Sequence, residues 1–379
     1  MIGSVECSCR SVSAVRKEAH ILSALVSSEA ESEGQNDGDG RTIGMDFFAS
    51  DIFLTALARD YHRASTYAFR TYALEGQQVR LVEIDGGRPV TDGPFYDYVK
   101  PLPAEVPAQD PAGSPSQGTV SYLPRLVTSV IALQDRDPES SLPLFAQEPA
   151  PLILWERFST WEDYLALLSG RSRNLLAAQR KKLRRMTDAF GDPVFTFDDR
   201  DPAALDSCIG WKIGQYEGGH ETLEDPRALL MLKALYRDGH LVVSTLRLEG
   251  RCVAVHAGFV WEDDYLDVLS AYDPAVAVYG VGRELRMRLL EHSYRLGHRS
   301  FDLLLGTESY KWYYATHLQL VESYGTPPLA RRVRDTAQRA VKQRLMALSP
   351  QLFYRAKKLV IAGRRQVRGR AGSLPPNRV

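Results

Sequence analysis

Tyr265-Leu-Asp-Val-Leu-Ser-Ala-Tyr-Asp-Pro-Ala-Val-Ala-Val-Tyr-Gly-Val-Gly-Arg-Glu-Leu285 is the stretch on which the reading of this chain turns. An apolar run ends at Asp273-Pro274, a loop follows, and Gly280 and Gly282 fall where a helix opens. Small residues there let backbone N–H groups approach an anion, and a helix N-terminus adds unpaired donors and partial positive charge. Arg283, in the first turn, is poorly placed for the dipole and well placed to meet a phosphate. A Gly-x-Gly pair by itself is an ordinary helix start, so its surroundings decide what it means.

Upstream, three strands follow one another at His240–Leu248, Arg251–Trp261 and Tyr265–Tyr272. Glu249-Gly250 and Glu262-Asp263-Asp264 are short enough to make antiparallel hairpins between them. That excludes a dinucleotide fingerprint, which needs its glycines inside a βαβ unit. Downstream, Gly282–Leu296 reads as a helix with Val281, Leu285, Leu289 and Leu296 on one face. Arg299–Leu305 then reads as a strand, Glu308–Thr316 as a short helix and Leu318–Tyr324 as a last strand. The strands flanking the long helix are free to lie parallel, which makes this an α+β layer.

Before the hairpins come a short strand at Leu152–Trp155, a basic helix at Ser172–Asp188 and a strand at Val194–Phe197. Helices at Pro202–Tyr216 and Pro226–Arg237 follow, the latter stopped by Gly239. Five prolines between Pro101 and Ser116, and a second Pro-broken stretch from Pro138 to Pro151, place a domain boundary near residue 150. The N-terminal half carries a helix over Asp46–Tyr61 and a hairpin of Thr66–Leu74 with Gln78–Asp85. Residues 1–44 end in a polar, acidic run that cannot bury apolar surface and reads as disordered, with Met45 an alternative start. The division is therefore 1–44 leader, 45–150 N-terminal domain, 151–330 C-terminal domain and 331–379 tail.

The formal charge of zero hides an asymmetry: residues 331–379 hold fourteen Lys/Arg against Asp335 alone, leaving −13 on the remainder. A basic tail with Ala337, Val341, Leu345, Leu348, Leu352 and Phe353 near helical spacing suits an anionic membrane surface or the acidic body itself. The helix around residues 173–185 interleaves no aromatics with its charges, so nucleic acid is not an expected partner. Cys7, Cys9, Cys208 and Cys252 form neither a disulfide framework nor a metal-ligand spacing, so no metal is expected. No apolar stretch approaches the roughly 20 residues of a spanning helix. A cytoplasmic protein is the expectation.

Residues 152–325 resemble the GNAT acetyltransferases of the CelD/BcsL type, named for cellulose and exopolysaccharide biosynthesis, and more distantly FemAB-like proteins. Gly250-Arg-Cys-Val-Ala-Val-His-Ala-Gly-Phe259, Ala271-Tyr-Asp-Pro274 and Phe301-Asp-Leu-Leu-Leu-Gly-Thr-Glu-Ser-Tyr-Lys-Trp312 carry the likeness, together with the basic helix containing Arg180-Lys-Lys-Leu-Arg-Arg185. Tyr279-Gly280-Val281-Gly282 departs from that family's Ser-Pro-Gly-like turn toward ordinary GNAT loops, and only Gly87-Arg-Pro-Val-Thr-Asp92 suggests its first domain. The resemblance implies a GNAT fold, a mixed and mostly antiparallel sheet flanked by helices, in two tandem GNAT-like units of which the first is degenerate. It also implies acyl transfer from acetyl-CoA or another acyl-CoA to a small amine such as an amino sugar, in exopolysaccharide, cell-envelope or specialised-metabolite assembly. FemAB-like transfer from aminoacyl-tRNA, or a catalytically silent module docking an assembly, are the rival expectations.

Such a reaction needs a proton acceptor for the nucleophile, donors for the oxyanion and an acid for the thiolate. Tyr279, Gly280, Val281, Gly282 and Arg283 are the residues expected to hold the acyl-CoA phosphates. His256 is the expected base, although a satisfied core histidine is the commoner outcome on a strand. Tyr272, with Tyr310 as the alternative, is the expected acid. Asp302, on an apolar strand, needs a partner, for which Lys311 or Arg283 could serve, and its role is either structural or to orient the acceptor amine. Glu308 and Lys311 share a helix face as a second base and an anion-binding cation, or as a plain surface pair.

Overall fold

Why the chain forms a sheet here is plainest at its centre. β7 (Leu241–Leu248), β8 (Arg251–Trp261) and β9 (Asp264–Tyr272) are rich in β-branched and aromatic residues and pair antiparallel in sequence order. Glu249 (φ 49°) and Gly250 (φ 77°) close the first hairpin with two left-handed residues, the geometry a two-residue turn needs. β7 is buried along nearly its whole length, because helices cover both faces of the sheet.

The computed structural model describes residues 46–74, 77–103, 120–135, 148–215, 220–306, 308–327 and 329. The expected disordered leader and basic tail, most of the Pro101–Ser116 stretch and the Glu75-Gly76 turn lie outside them. Within the described residues, β1 (Tyr67–Leu74), β2 (Gln77–Ile84) and β3 (Arg88–Pro89) form a three-stranded antiparallel sheet. The second sheet has eight strands in the order β4-β11-β5-β10-β9-β8-β7-β6, with β4 at Tyr122–Ala132, β5 at Glu148–Leu154, β6 at Val194–Thr196, β10 at Ser300–Asp302 and β11 at His317–Gly325. β10 runs parallel to β9 and every other neighbour is antiparallel. The parallel pair flanking the long helix is as the sequence implies.

The boundary drawn near residue 150 falls inside β5, and β4, which the sequence reading passed over, is the outermost strand of this same sheet. Prolines 149 and 151 mark a strand rather than a linker. One hydrophobic core also runs from Phe47, Phe48 and Phe53 to Val321, with Phe47 stacked on Phe259 of β8 at 4.2 Å.

Most helices follow the expected positions, with the exceptions of the mixed first helix and of the second, Trp161–Arg171. α1 (Asp51–Thr55), capped by Ser50, continues into a π-helical turn at Ala56–His62. α2 (Trp161–Arg171), absent from the sequence reading, opens with a Thr160–Asp163 capping box. α3 (Arg173–Phe190) is the basic helix, α4 spans Pro202–Gln215 and α5 spans Pro226–Arg237 with Asp225 as its N-cap. α6 (Val281–Leu296) buries Val281, Leu285, Leu289 and Leu290 against the sheet, and α7 is Ser309–Tyr314. Among the described residues no helix is long and apolar enough to cross a membrane.

Candidate functional site

The site begins where β9 and β10 part. Pairing runs Ser300 with Asp264, Phe301 with Tyr265 and Asp302 with Leu266, and there it stops, although β9 continues to Tyr272. Beyond Asp302 the chain follows β5 instead: Leu303 N donates to Pro151 O at 2.9 Å and Gly306 N to Pro149 O at 3.1 Å. The prolines can accept those bonds and cannot return them, so the ladder weakens as it leaves β10. A bulge adds to the opening, since Leu269 faces Ala257 while Asp267 faces Gly258, leaving Val268 as the extra residue.

The resulting cleft, about 230 Å³, lies between residues 267–270 of β9 and the 304–305 turn. Its floor is a buried ion cluster. Arg286 of α6 donates to Asp267 and, at 3.3 Å, to Ser270 Oγ, while its guanidinium lies 4.7 Å from the centre of the Tyr310 ring. Asp267 also lies 2.8 Å from His256 Nε2, without the alignment of a hydrogen bond, and His256 Nδ1 is 3.1 Å from the Tyr265 hydroxyl. Burial alone would raise the Asp267 carboxyl, but Arg286 and His256 outweigh it and hold it far below the usual range. Burial likewise disfavours charge on Arg286, and Asp267 more than compensates. His256 is pushed down by burial, which Asp267 offsets only in part, so its ring is neutral at pH 7.

The cleft's walls bring together residues from distant parts of the chain. Lys212 of α4 donates to Ser270 O at 3.1 Å, and burial lowers its ammonium despite the attraction of Asp267. Lys311, 6% exposed, donates to the carbonyls of Leu304 and Leu305 and lies 3.4 Å from Glu308 Oε2. Asp97 Oδ2 accepts from Leu305 N at 3.0 Å. Burial raises the Asp97 carboxyl, and neither that N–H nor Arg125 and Lys311 fully reverses it.

At the far end of β9, Asp273 caps a 3-10 turn (Pro274–Tyr279), and Gly280 (φ 73°) passes the chain into α6. No side chain caps α6. Gly280 O accepts from Arg283 N and Glu284 N, and Val281 N and Gly282 N find no acceptor among the described residues. A Cβ on Gly280 would meet Lys182 Cδ at 2.9 Å, and one on Gly282 would meet the Tyr272 ring at 2.8 Å. Two open donors thus sit between a strand-end tyrosine and a lysine of the basic helix. Open N–H groups at a helix start beside a lysine have the chemistry to receive an anion.

Of the expected residues, Glu308 and Lys311 line the cleft together with Tyr310, and Tyr272 packs against Gly282 at the loop. Tyr279 stacks edge-on with Phe190 of α3. His256 is 1% exposed and stands behind Asp267. Asp302 does not pair with Lys311 or Arg283 as expected. Its oxygens accept from Tyr98 OH, from Gln319 Nε2 at 2.7 Å and from Leu304 N at 2.8 Å, with Lys100 Nζ 3.7 Å away. Tyr98 and Gln319 lie 204 and 17 residues from it in sequence, which no local pattern could reveal. The sequence reading also missed Asp267, Arg286, Lys212, Asp97 and Lys182. Asp267 did leave a signal, as a carboxylate in the middle of an apolar strand. The described residues contain no group of three or more His, Cys, Asp or Glu able to hold a metal.

Residues 172–312 match a family model described as "Acetyltransferase (GNAT) domain". No curated protein matches the chain. Among solved structures, FemX aligns at 9% identity over 84% of this chain and 96% of its own, with a TM-score of 0.45. The C-terminal domain of a putative lysylphosphatidylglycerol synthetase from Agrobacterium fabrum aligns at 11% identity, covering 86% and 96%, with a TM-score of 0.40. A tandem GNAT protein from the clavulanic acid biosynthesis pathway gives 10% identity, 82% and 96% coverage and a TM-score of 0.31. The matched stretch, residues 172–312, is similar to that domain, and the mixed, mostly antiparallel sheet flanked by helices is the GNAT fold.

Proposed function

We propose that the protein is an acyl-CoA-dependent N-acyltransferase whose acceptor is a small amine, an amino sugar or a similar molecule, in envelope, exopolysaccharide or specialised-metabolite assembly. The observation that carries the reading is the uncapped start of α6: open N–H groups at Val281 and Gly282, with Lys182 over Gly280, at the end of a strand that parts from its neighbour. Val281 N–H and Gly282 N–H would hold the pyrophosphate, with Lys182 and Arg283 adding positive charge. The open edge of β9 would receive the pantetheine amides as a further strand receives a neighbour's. From Tyr272 back to Val268 that edge spans about 13 Å, at about 3.3 Å per residue, which carries the thioester to the bulge.

The chemistry is displacement at a thioester carbonyl: a C–N bond forms, the C–S bond breaks, and the nitrogen loses a proton. The chain's part is to align the thioester along β9, to face the developing oxyanion with backbone N–H groups near the bulge, and to take up the proton. The charged floor and walls suit a short acyl group and a polar acceptor better than a long apolar chain.

Calorimetry with acetyl-CoA and longer acyl-CoAs on the wild type, Lys182→Glu and Gly282→Glu tests the loop. Lys182→Glu, on a half-buried helix position, should weaken binding at least tenfold without unfolding the protein. Gly282→Glu should abolish it by crowding Tyr272 and adding negative charge. Equal affinity in all three proteins would sink the reading.

A further inference from the structure

We infer that Asp97, delivered by the N-terminal part of the chain, is the proton acceptor for the incoming amine in this cleft. The inference rests on the acyl-transfer reading and extends it to a residue outside the matched stretch 172–312.

Pro94-Phe95 makes a turn, and Tyr96–Lys100 then runs alongside β4, bridging Leu126 at Val99. Tyr96 and Tyr98 point into the core, 3% and 1% exposed, against Phe48. Phe95 and Asp97 turn the other way, into the cleft. The segment is clamped from both sides. Arg125 of β4 donates to Tyr96 O at 3.1 Å and to Asp97 O at 3.0 Å, and Val127 N donates to Val99 O at 2.9 Å. Tyr98 and Lys100 meanwhile reach Asp302 at the end of β10. A rigid mount of this kind is what a proton-transfer group needs.

The carboxylate itself is divided in use. Oδ2 is committed to Leu305 N, and Oδ1 has no hydrogen-bond partner among the described residues. Two residues beside it, Phe95 (φ 59°) and Leu304 (φ 57°), hold left-handed backbone conformations that cost a non-glycine residue about 1–3 kcal/mol each. Both line the cleft. Strain gathered on either side of one open oxygen is what a positioned site, rather than an ordinary loop, would retain.

The step balances within the proposed reaction. The amine lone pair attacks the acyl carbon, its N–H proton passes to Asp97 Oδ1, the C–S bond breaks, and the thiolate takes a proton from water. His256 cannot play this part from behind Asp267, and Asp267 is held ionised by Arg286. The charged and titratable groups facing Asp97 are Arg125 from β4, Lys311 from α7 and Asp302 from β10, with Lys212, His220, Asp267, Glu308 and Tyr310 around the cleft.

Asp97→Asn and Asp97→Glu, made in the full chain, test it. Asparagine keeps an acceptor for Leu305 N, so the turn should stay in place. Acetyl-CoA affinity should change less than twofold, while kcat/KM for transfer to a panel of amino sugars and polyamines falls about 10²–10⁴-fold. The acid limb of the wild-type pH profile should vanish in Asp97→Asn and return, with part of the rate, in Asp97→Glu. Unchanged kcat/KM or a retained acid limb in Asp97→Asn would overturn the inference and leave the acyl-transfer reading standing. Acetyl-CoA binding by the wild type without transfer to any amine would also count against a base here. No acyl-CoA binding by the wild type would overturn both.

Discussion

Asp267 is the residue whose removal should be felt most in the fold. It is 7% exposed and faces Arg286, also 7% exposed, and His256, 1% exposed. Asp267→Ala leaves a guanidinium under the sheet beside Ser270 Oγ and the Tyr310 ring, without its buried carboxylate. Breaking a buried pair by deleting one partner costs about 3–5 kcal/mol. The cleft admits water to one side of the cluster, so the lower end, about 3 kcal/mol or roughly a hundredfold in the folding equilibrium, is the expected value. Removing both charges as Asp267→Leu with Arg286→Met should recover most of that loss, since an apolar pair of similar volume is commonly neutral. Urea denaturation followed by the fluorescence of the five tryptophans reads both, as a shift in midpoint at constant slope. The sign with pH is fixed as well. The folded carboxyl lies far below its unfolded value of about 3.9, so its contribution is complete above that pH and fades as pH falls below it. A cost below about 1 kcal/mol for Asp267→Ala, or a double variant as unstable as the two single losses summed, would refute the reasoning.

Gly258→Ala should cost about 1–3 kcal/mol by overpacking, because its Cβ would lie 2.5 Å from Leu266 O and 2.6 Å from the Tyr265 ring; a thermal or urea midpoint equal to the wild type's would contradict it. His298 is lowered to about 4 by burial, so the folded state resists protonation that the unfolded chain accepts near 6.5. Its contribution is complete above about 6.5 and is lost as pH falls toward 4, amounting to at most about 3 kcal/mol. Stability measured across that window should decline in the wild type and decline less in His298→Gln.

Regular elements were legible wherever one period dominated. The β7–β9 hairpins and α5 match the sequence to within a residue, because turn chemistry and caps are local. β4 was not legible: Ser121-Tyr-Leu-Pro-Arg-Leu-Val-Thr carries Pro124 within a stretch already dense in prolines. That proline is tolerated because β4 is the outer strand, where a missing donor costs little. The helix start at Gly280–Val281 was legible because helix starts and glycines are local signals. Lys182 was not, since its approach to Gly280 is a tertiary fact about α3. His256 was read as either a base or a satisfied core histidine; it lies buried, with Asp267 2.8 Å from Nε2 and the Tyr265 hydroxyl 3.1 Å from Nδ1.

Asp302 and Lys311 entered as candidate chemistry, and the geometry gives them an earlier role, which is to make the cleft exist. The β10-facing edge of β9 is left open beyond Leu266 only if the chain after Asp302 stays on β5, and five residues keep it there. Asp302 Oδ1 takes Leu304 N and thereby turns the backbone immediately after the strand. Lys311 Nζ gathers the carbonyls of Leu304 and Leu305, which would otherwise be free to seek the β9 edge. Asp97 takes Leu305 N from the opposite side. Pro149 and Pro151 supply acceptors without donors, so residues 303–306 are held loosely enough to bend. The donors and acceptors of 304 and 305 that could have continued a ladder with β9 are thus spent on side chains. A carboxylate that both holds this turn and presents its second oxygen to the opening ties the shape of the cleft to its proposed chemistry.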